Sequence, residues 1–351
     1  MPPPFIMLEL KRTINFRLMQ IKSMSNVEHS ILRTIAYYDC LNFPLTSFEV
    51  YEYLTKNPEE KGPKKIDYGQ VCSALFSNSA LKNFIEEKNG FYFLNGRSYL
   101  VEQRIEREKI SSKKWKKLRR AAVLLQAVPF LRLIFVSGSL AQNSCHSESD
   151  LDLLIVAKSG RIWTARFFAT ILTHVLGLRR HGEKIKDRVC LNHYITDKSL
   201  QIPQAGRSLY TAQIYNQLVL LFEKEPNLFS RFREENGWIK NYFQAVSSAK
   251  RNGDDLAEMN LKRIKEIRVL LFWARAAEFV LKGYLGGRLE MFLRRVQGSK
   301  IRKNPMTHQS SAGIFVSDDR LRFHPESPES AVLDKYKETM IKFGLSELGR
   351  V

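Results

Sequence analysis

Two short apolar runs mark the middle of the chain, Leu131–Val136 and Leu153–Ala157. Both are partly β-branched and bounded by turn residues, so they read as buried strands. A third run, Val189–Ile195, follows a segment with helical period, Ile162–Leu176, whose apolar positions are Ile162, Phe167, Phe168, Ile171 and Val175. Upstream, residues 27–40 read as a helix that Ser25 and Asn26 would cap. Thr46-Ser47-Phe48-Glu49 fits a capping box and starts a second helix through Tyr53. Asn57–Lys65 reads as a loop and Asp67–Phe76 as a third helix. Asn89-Gly90 before the aromatic run Phe91–Leu94 is a hairpin signal. Three helices and a hairpin predict a winged helix.

Glu102–Leu125 predicts a long helix with a basic stretch from Lys113 to Arg120. It leads directly into the first central strand. Past the centre, Leu209–Glu223 is expected to be helical until Pro226, and Leu228–Phe243 to be helical with Trp238 and Phe243 in the core. Residues 247–255 read as a linker, followed by one very long helix from about Leu261 to Val296. The tail is loop-rich, with a possible short hairpin over 311–325 and a surface His324. The expected class is α+β: a winged-helix-like module, a central mixed sheet with flanking helices, and a helical C-terminal region. The expected boundaries are an N-terminal extension at 1–26, with Met24 as the natural start, then domains at 27–104, 105–246 and 247–351.

The segment 267–285 is nearly long enough to span a bilayer. It also carries Arg268, Arg275, Glu278 and Lys282, which fall on one helical stripe. A polar stripe on an apolar helix predicts burial over a wide arc in a soluble domain. Contact with a membrane surface or another subunit is the alternative, and a true span is disfavoured by four charges.

Charge narrows the partners. The formal net charge is +20, which favours an anionic partner: nucleic acid, nucleotide or membrane surface. Between Glu28 and Leu100, however, eight basic side chains face nine acidic ones. The winged-helix region therefore lacks the usual electrostatic footprint of a DNA binder. It reads either as a packing or partner-recognition module or as a nucleic-acid binder. The cysteines Cys40, Cys72, Cys145 and Cys190 are scattered, without metal spacing, as in a reduced cytoplasmic protein. The N-terminus does not fit a secretory signal.

The candidate chemistry lies between the first two central strands. Leu131–Val136 ends in Ser137-Gly138-Ser139, and the polar loop returns into Asp150-Leu151-Asp152. Residues two apart on a strand share a face, so Asp150 and Asp152 present paired carboxylates. Such a pair repels itself unless a cation intervenes. A hard cation such as Mg²⁺ suits these oxygens and usually shares its shell with substrate phosphates. Gly138-Ser139 allows backbone N–H groups to approach an anion.

Gly138-Ser139, ten residues, then Asp150-x-Asp152 with flanking strands resembles the signature of the DNA polymerase β superfamily of nucleotidyltransferases. The resemblance covers about a hundred residues, from the helix near Lys113 to Phe222. It implies that Gly138 and Ser139 hold nucleotide phosphates and that Asp150 and Asp152 bind catalytic Mg²⁺. It also implies transfer of a nucleoside monophosphate from an NTP to a hydroxyl of a protein, small molecule or RNA. The family usually has a third carboxylate on the next strand; here Asn192 stands at that place, able to ligate a metal but not to act as a base. Asp197, just past that strand, is a weaker substitute, and His193 is expected on the opposite face as a structural residue. The rival expectation is a weak or inactive member of the fold that binds nucleotide or a partner.

Overall fold

The computed structural model describes residues 19, 21, 23–56, 66–77, 80–244, 263–303, 314–323 and 328–345. Residues 1–18, the loop 57–65, the linker 247–255 and His324 lie outside them.

The first helices start where local side chains can satisfy their free N–H groups. Ser25 caps α1 (Asn26–Cys40): its Oγ accepts from the Glu28 N–H, and the Glu28 carboxylate accepts from the Ser25 N–H at 2.7 Å. After β1 (Leu45–Thr46), Thr46 and Glu49 form the same box on α2 (Ser47–Glu52). Asp67 and Gln70 form it on α3 (Tyr68–Phe76). Strands β2 (Ile85–Lys88) and β3 (Phe91–Leu94) are joined by Asn89 and Gly90, at φ 56° and 80°. Positive φ at both positions is what a tight hairpin with the native strand twist requires. β1 adds to the far side of β3, with Leu45 opposite Tyr92, and the sheet order is β1-β3-β2.

The long helix α4 (Tyr99–Leu125) leads into a mixed six-stranded sheet. Its elements are β4 (Leu131–Val136), α5 (Gly138–Ala141), β5 (Leu151–Ala157), α6 (Ile162–Val175), β6 (Val189–Thr196), α7 (Leu209–Asn216), β7 (Val219–Glu223) and α8 (Leu228–Glu235). Then come α9 (Arg268–Val280), α10 (Tyr284–Arg302), β8 (Ile314–Val316), β9 (Arg320–Phe323) and α11 (Glu329–Lys342). The strand order is β7-β4-β5-β6-β9-β8. β5 and β6 are parallel, connected through α6, and every other pair is antiparallel. The protein is thus α+β with helices flanking a mixed sheet.

Every residue of β4 is buried, as befits a central strand covered on both faces. One face, through Leu133, Phe135, Leu154 and Val156, shares a core with α1 and with Tyr336 and Met340 of α11. The other, through Ile134, Val136, Leu153 and Ile155, packs on α4, on Trp163 of α6 and on Leu293 of α10.

Four expectations are corrected. Residues 209–223 are not one helix: α7 ends at Asn216, and Val219–Glu223 pairs with β4. A short apolar run is ambiguous between helix and strand, and the unpaired edge of β4 decides it. The helix from Leu228 stops at Glu235, and a 3₁₀ turn, Gly237–Asn241, follows. The long helix from 261 to 296 is two helices broken at Gly283, where the Leu281 carbonyl lies so close to Gly286 that a Cβ there would meet it at 1.7 Å. The tail hairpin does form, from β8 and β9, but it extends the main sheet beside β6 rather than standing apart.

The fourth correction concerns the 267–285 segment, which is not buried over a wide arc. Val269, Phe272, Trp273, Phe279 and Val280 face outward, while Glu278 turns inward. The Glu278 carboxylate takes both Arg132 Nη atoms at 3.0 Å, Lys224 Nζ at 2.6 Å and the Phe130 N–H at 2.8 Å. Phe130 has φ 63°, a costly conformation for a bulky residue. This hydrogen bond helps to hold it. No helix among the described residues is long and apolar enough to cross a membrane.

Burial would raise the Glu278 pKa, but the hydrogen bonds and charges of Arg132 and Lys224 outweigh it and hold the group at about 2. A carboxyl depressed in the folded state contributes stability above its unfolded pKa and loses it as pH falls through the folded one. Denaturant titrations of Glu278→Gln are therefore expected to show a loss on the order of 3 kcal/mol at neutral pH. The difference from wild type should shrink as pH falls from 4.5 toward 2.

Candidate functional site

The site lies where β4 ends and β5 begins. The Ser137 N–H donates to the Asp152 carbonyl at 3.1 Å, which ties the end of β4 to the start of β5. The next residue, Gly138, has φ 65°, and a Cβ on it would sit 2.6 Å from Asp152 Oδ2. Both the conformation and the close approach exclude a side chain here. Ser139 follows in α5, with its Oγ 3.4 Å from Cys145 Sγ. The first N–H groups of a helix have no partner within it and are open to an anion. Glycine at 138 is thus required by the carboxylate beside it as well as by the turn.

Asp150 and Asp152 are brought together as their spacing predicts, and Cys190 joins them. One ligand atom from each of the three lies within 4.8 Å of the others, the one such group of three among the described residues. Asp152 is held up to about 7, chiefly by burial and then by the charge of Asp150. The Cys190 thiol and Arg180 offset part of this. Burial and the two carboxylates push the Cys190 thiol far above its ordinary range, so it stays protonated and hydrogen-bonds Asp152. Arg180 pairs with Asp150, and its Nη1 is 3.9 Å from Cys190 Sγ.

Asn192 does not sit in register with Asp152; Cys190 does. Two steps along β5, from Asp152 to Leu154, match three along β6, from Cys190 to His193. A bulge of this kind re-aims side chains. The half-buried Asn192 lies within it. His193 becomes the partner of Leu154, and its ring lies 6.4 Å from that of Tyr215, which packs in the core that Leu154 enters. His193 thus shares the face of Leu154 and Asp152 instead of pointing away. Asp197 lies past the end of β6, where its Oδ1 accepts from the Ser159 N–H at 2.8 Å.

Other contributors come from far along the chain. The basic stretch of α4 does not simply face solvent. Lys114 is buried, and its Nζ donates to the carbonyls of Ser147 (2.9 Å) and Ser149 (2.7 Å) and to Asp187 Oδ1 (2.7 Å). Trp115 Nε1 donates to Asn143 Oδ1 at 2.9 Å, and Ser111 Oγ accepts from the Cys145 N–H at 3.0 Å. Three positions of α4 thereby pin the loop between Ser139 and Asp150. Arg322 of β9 stands opposite His193, adding a cation to that face of the sheet. The charges of Asp152, Glu329 and Arg322 all act on the Tyr210 hydroxyl, which burial raises to about 12. Arg180 and Arg322 carry no local sequence signal, whereas Lys114 belongs to the basic stretch that leads directly into β4.

Comparison of the chain with models of protein families, with curated proteins and with solved structures finds no match.

A carboxyl raised in the folded state leaves stability intact below its unfolded pKa and takes it away as pH climbs through the folded one. For Asp152 that window runs from 3.8 to about 7. Without divalent cations, Asp152→Asn should therefore unfold at higher denaturant than wild type above pH 7, by on the order of 2 kcal/mol. The two should converge near pH 4, as read by parallel urea titrations.

Proposed function

We propose that the chain is a Mg²⁺-dependent nucleotidyltransferase of the polymerase β type, with its three N-terminal helices and three-stranded sheet forming a winged helix. The observation that carries this reading is the contact between Gly138 and Asp152. It couples a phosphate-accommodating turn to a carboxylate pair on the adjacent strand. The donor set suits Mg²⁺: Asp150 and Asp152 offer hard oxygens, and their crowding raises Asp152 in a way that a cation would relieve. Cys190 adds one sulfur to two carboxylates, a donor set weighted toward a hard cation.

The Gly138-Ser139 turn and its open N–H groups receive the triphosphate of an NTP. Asp150 and Asp152 would hold the cation, with Cys190 orienting Asp152 by its S–H hydrogen bond. Mg²⁺, when bound, neutralises charge on the phosphates during in-line displacement. An acceptor hydroxyl oxygen bonds to the α-phosphorus, the bond to the β-phosphate side breaks, and pyrophosphate leaves. β6 carries no carboxylate, so the acceptor proton passes to solvent or to phosphate. Positioning and charge neutralisation supply most of the rate in such chemistry. The winged helix acts in packing or partner recognition. In support, its α1 packs against α11, with Tyr37 and Tyr336 edge to face at 5.4 Å.

The test is incubation with each labelled NTP and Mg²⁺, read by pyrophosphate release and by mass spectrometry of the protein and of a panel of RNA and small-molecule acceptors. Wild type should transfer a nucleotide, and Asp150→Ala with Asp152→Ala should lose at least about a hundredfold in rate. Binding of NTP without turnover across the panel would overturn the reading.

One observation favours the second reading, a nucleotide- or partner-binding module without turnover. Arg180 already supplies a cation to Asp150. If Arg180 substitutes for the metal, Arg180→Gln will raise Mg²⁺ affinity by about tenfold or more in calorimetric titration while wild type stays inactive. If it only shields the two carboxylates from each other, wild type will bind Mg²⁺ and turn over.

A further inference from the structure

The outward face of α9 and α10 is apolar where a helix on a water-facing surface is ordinarily polar. Phe272, Trp273 and Phe279 of α9 and Tyr284, Leu285 and Phe292 of α10 are 60–81% exposed. The acids of the two helices face the other way. Glu278 is committed to Arg132 and Lys224, and Glu290 accepts from the N–H groups of Trp163 (2.9 Å) and Thr164 (2.8 Å) at the start of α6. From Arg268 to Lys303 the chain carries nine Lys and Arg but only those two Glu. Arg268, Arg275, Lys282, Arg288 and Arg295 are on the surface beside the apolar face. Arg294, also exposed, pairs with Asp318.

We propose that α9 and α10 form a docking face for an anionic lipid bilayer, lying in its interface without crossing it. Aromatic and aliphatic side chains that emerge between cations are the composition of a helix that settles into the headgroup region. Each basic side chain near an anionic surface adds attraction, and Trp and Tyr prefer the interfacial depth. A second copy fits less well, because a symmetric pairing would set the same cationic rim against itself. Neither helix is long and apolar enough to cross.

α9 is anchored to Phe130 and Arg132 at the start of β4, whereas Gly138 follows its other end. The proposal rests on no chemical property of the Gly138–Asp152 site.

The test is flotation of the full chain with vesicles of phosphatidylcholine alone or mixed with phosphatidylglycerol, with tryptophan emission of the wild type compared with Trp273→Phe as a second readout. The wild type should float with the mixed vesicles, lose binding as salt is raised, and shift its emission to shorter wavelength. Phe272→Gln with Phe279→Gln, both at exposed positions, should lower partitioning at least about tenfold while circular dichroism and melting stay unchanged. Arg275→Gln with Arg288→Gln should weaken binding to the mixed vesicles and not to the neutral ones. Equal partitioning of wild type and the Phe variant, or none by the wild type, would overturn the proposal. So would a concentration-dependent dimer that the Phe changes disperse in a protein that ignores vesicles; that result would assign the face to a second copy.

Discussion

Charge drawn against the central sheet has to be paired, and the two ends of β4 show two ways of meeting that requirement. At its start, Arg132 and Lys224 are neutralised within the protein by Glu278, which also holds the Phe130 N–H. At its far end, Asp150 and Asp152 are forced together, and only Arg180 and a neutral thiol offset them. One end is closed and structural. The other keeps a repulsion between two carboxylates that its neighbours offset in part.

The closed end shapes the molecular surface. An inward Glu278 sets the rotation of α9 about its axis, so the apolar residues on the opposite side have no choice but to face out. The break at Gly283 then redirects the chain so that Glu290 of α10 reaches the start of α6. Polar anchoring of both helices through their acids leaves an aromatic and cationic exterior. Electrostatic satisfaction inside thus dictates hydrophobic exposure outside.

At the open end, precision comes from a scaffold of distant residues. Gly138 allows the turn to touch Asp152, and the register of β6 sets Cys190 opposite it. Lys114, Trp115 and Ser111 on one rigid helix fasten the intervening loop. Such support matters because small displacements of paired charges change their energies steeply. The tail hairpin contributes as well, since Arg322 reaches this face only because β9 joins the sheet next to β6.

What the sequence determined by itself was local. Capping boxes act over three residues, a two-residue hairpin depends on Asn89 and Gly90, and alternation puts Asp150 and Asp152 together whatever surrounds them. The central apolar strands and the Gly138 turn were legible for the same reason. What depended on partners far along the chain was decided by tertiary structure alone. Val219–Glu223 became a strand because β4 had an open edge. Cys190 stands opposite Asp152, and a register shift just beyond it puts His193 rather than Asn192 opposite Leu154, which no side-chain pattern announces. Lys114 found Asp187, and Glu278 found Arg132, across more than seventy and more than a hundred and forty residues. Periodicity reports which side chains of a helix share a face. Which face turns inward is settled by the charges it meets there, and on α9 those charges outweighed the hydrophobic pattern.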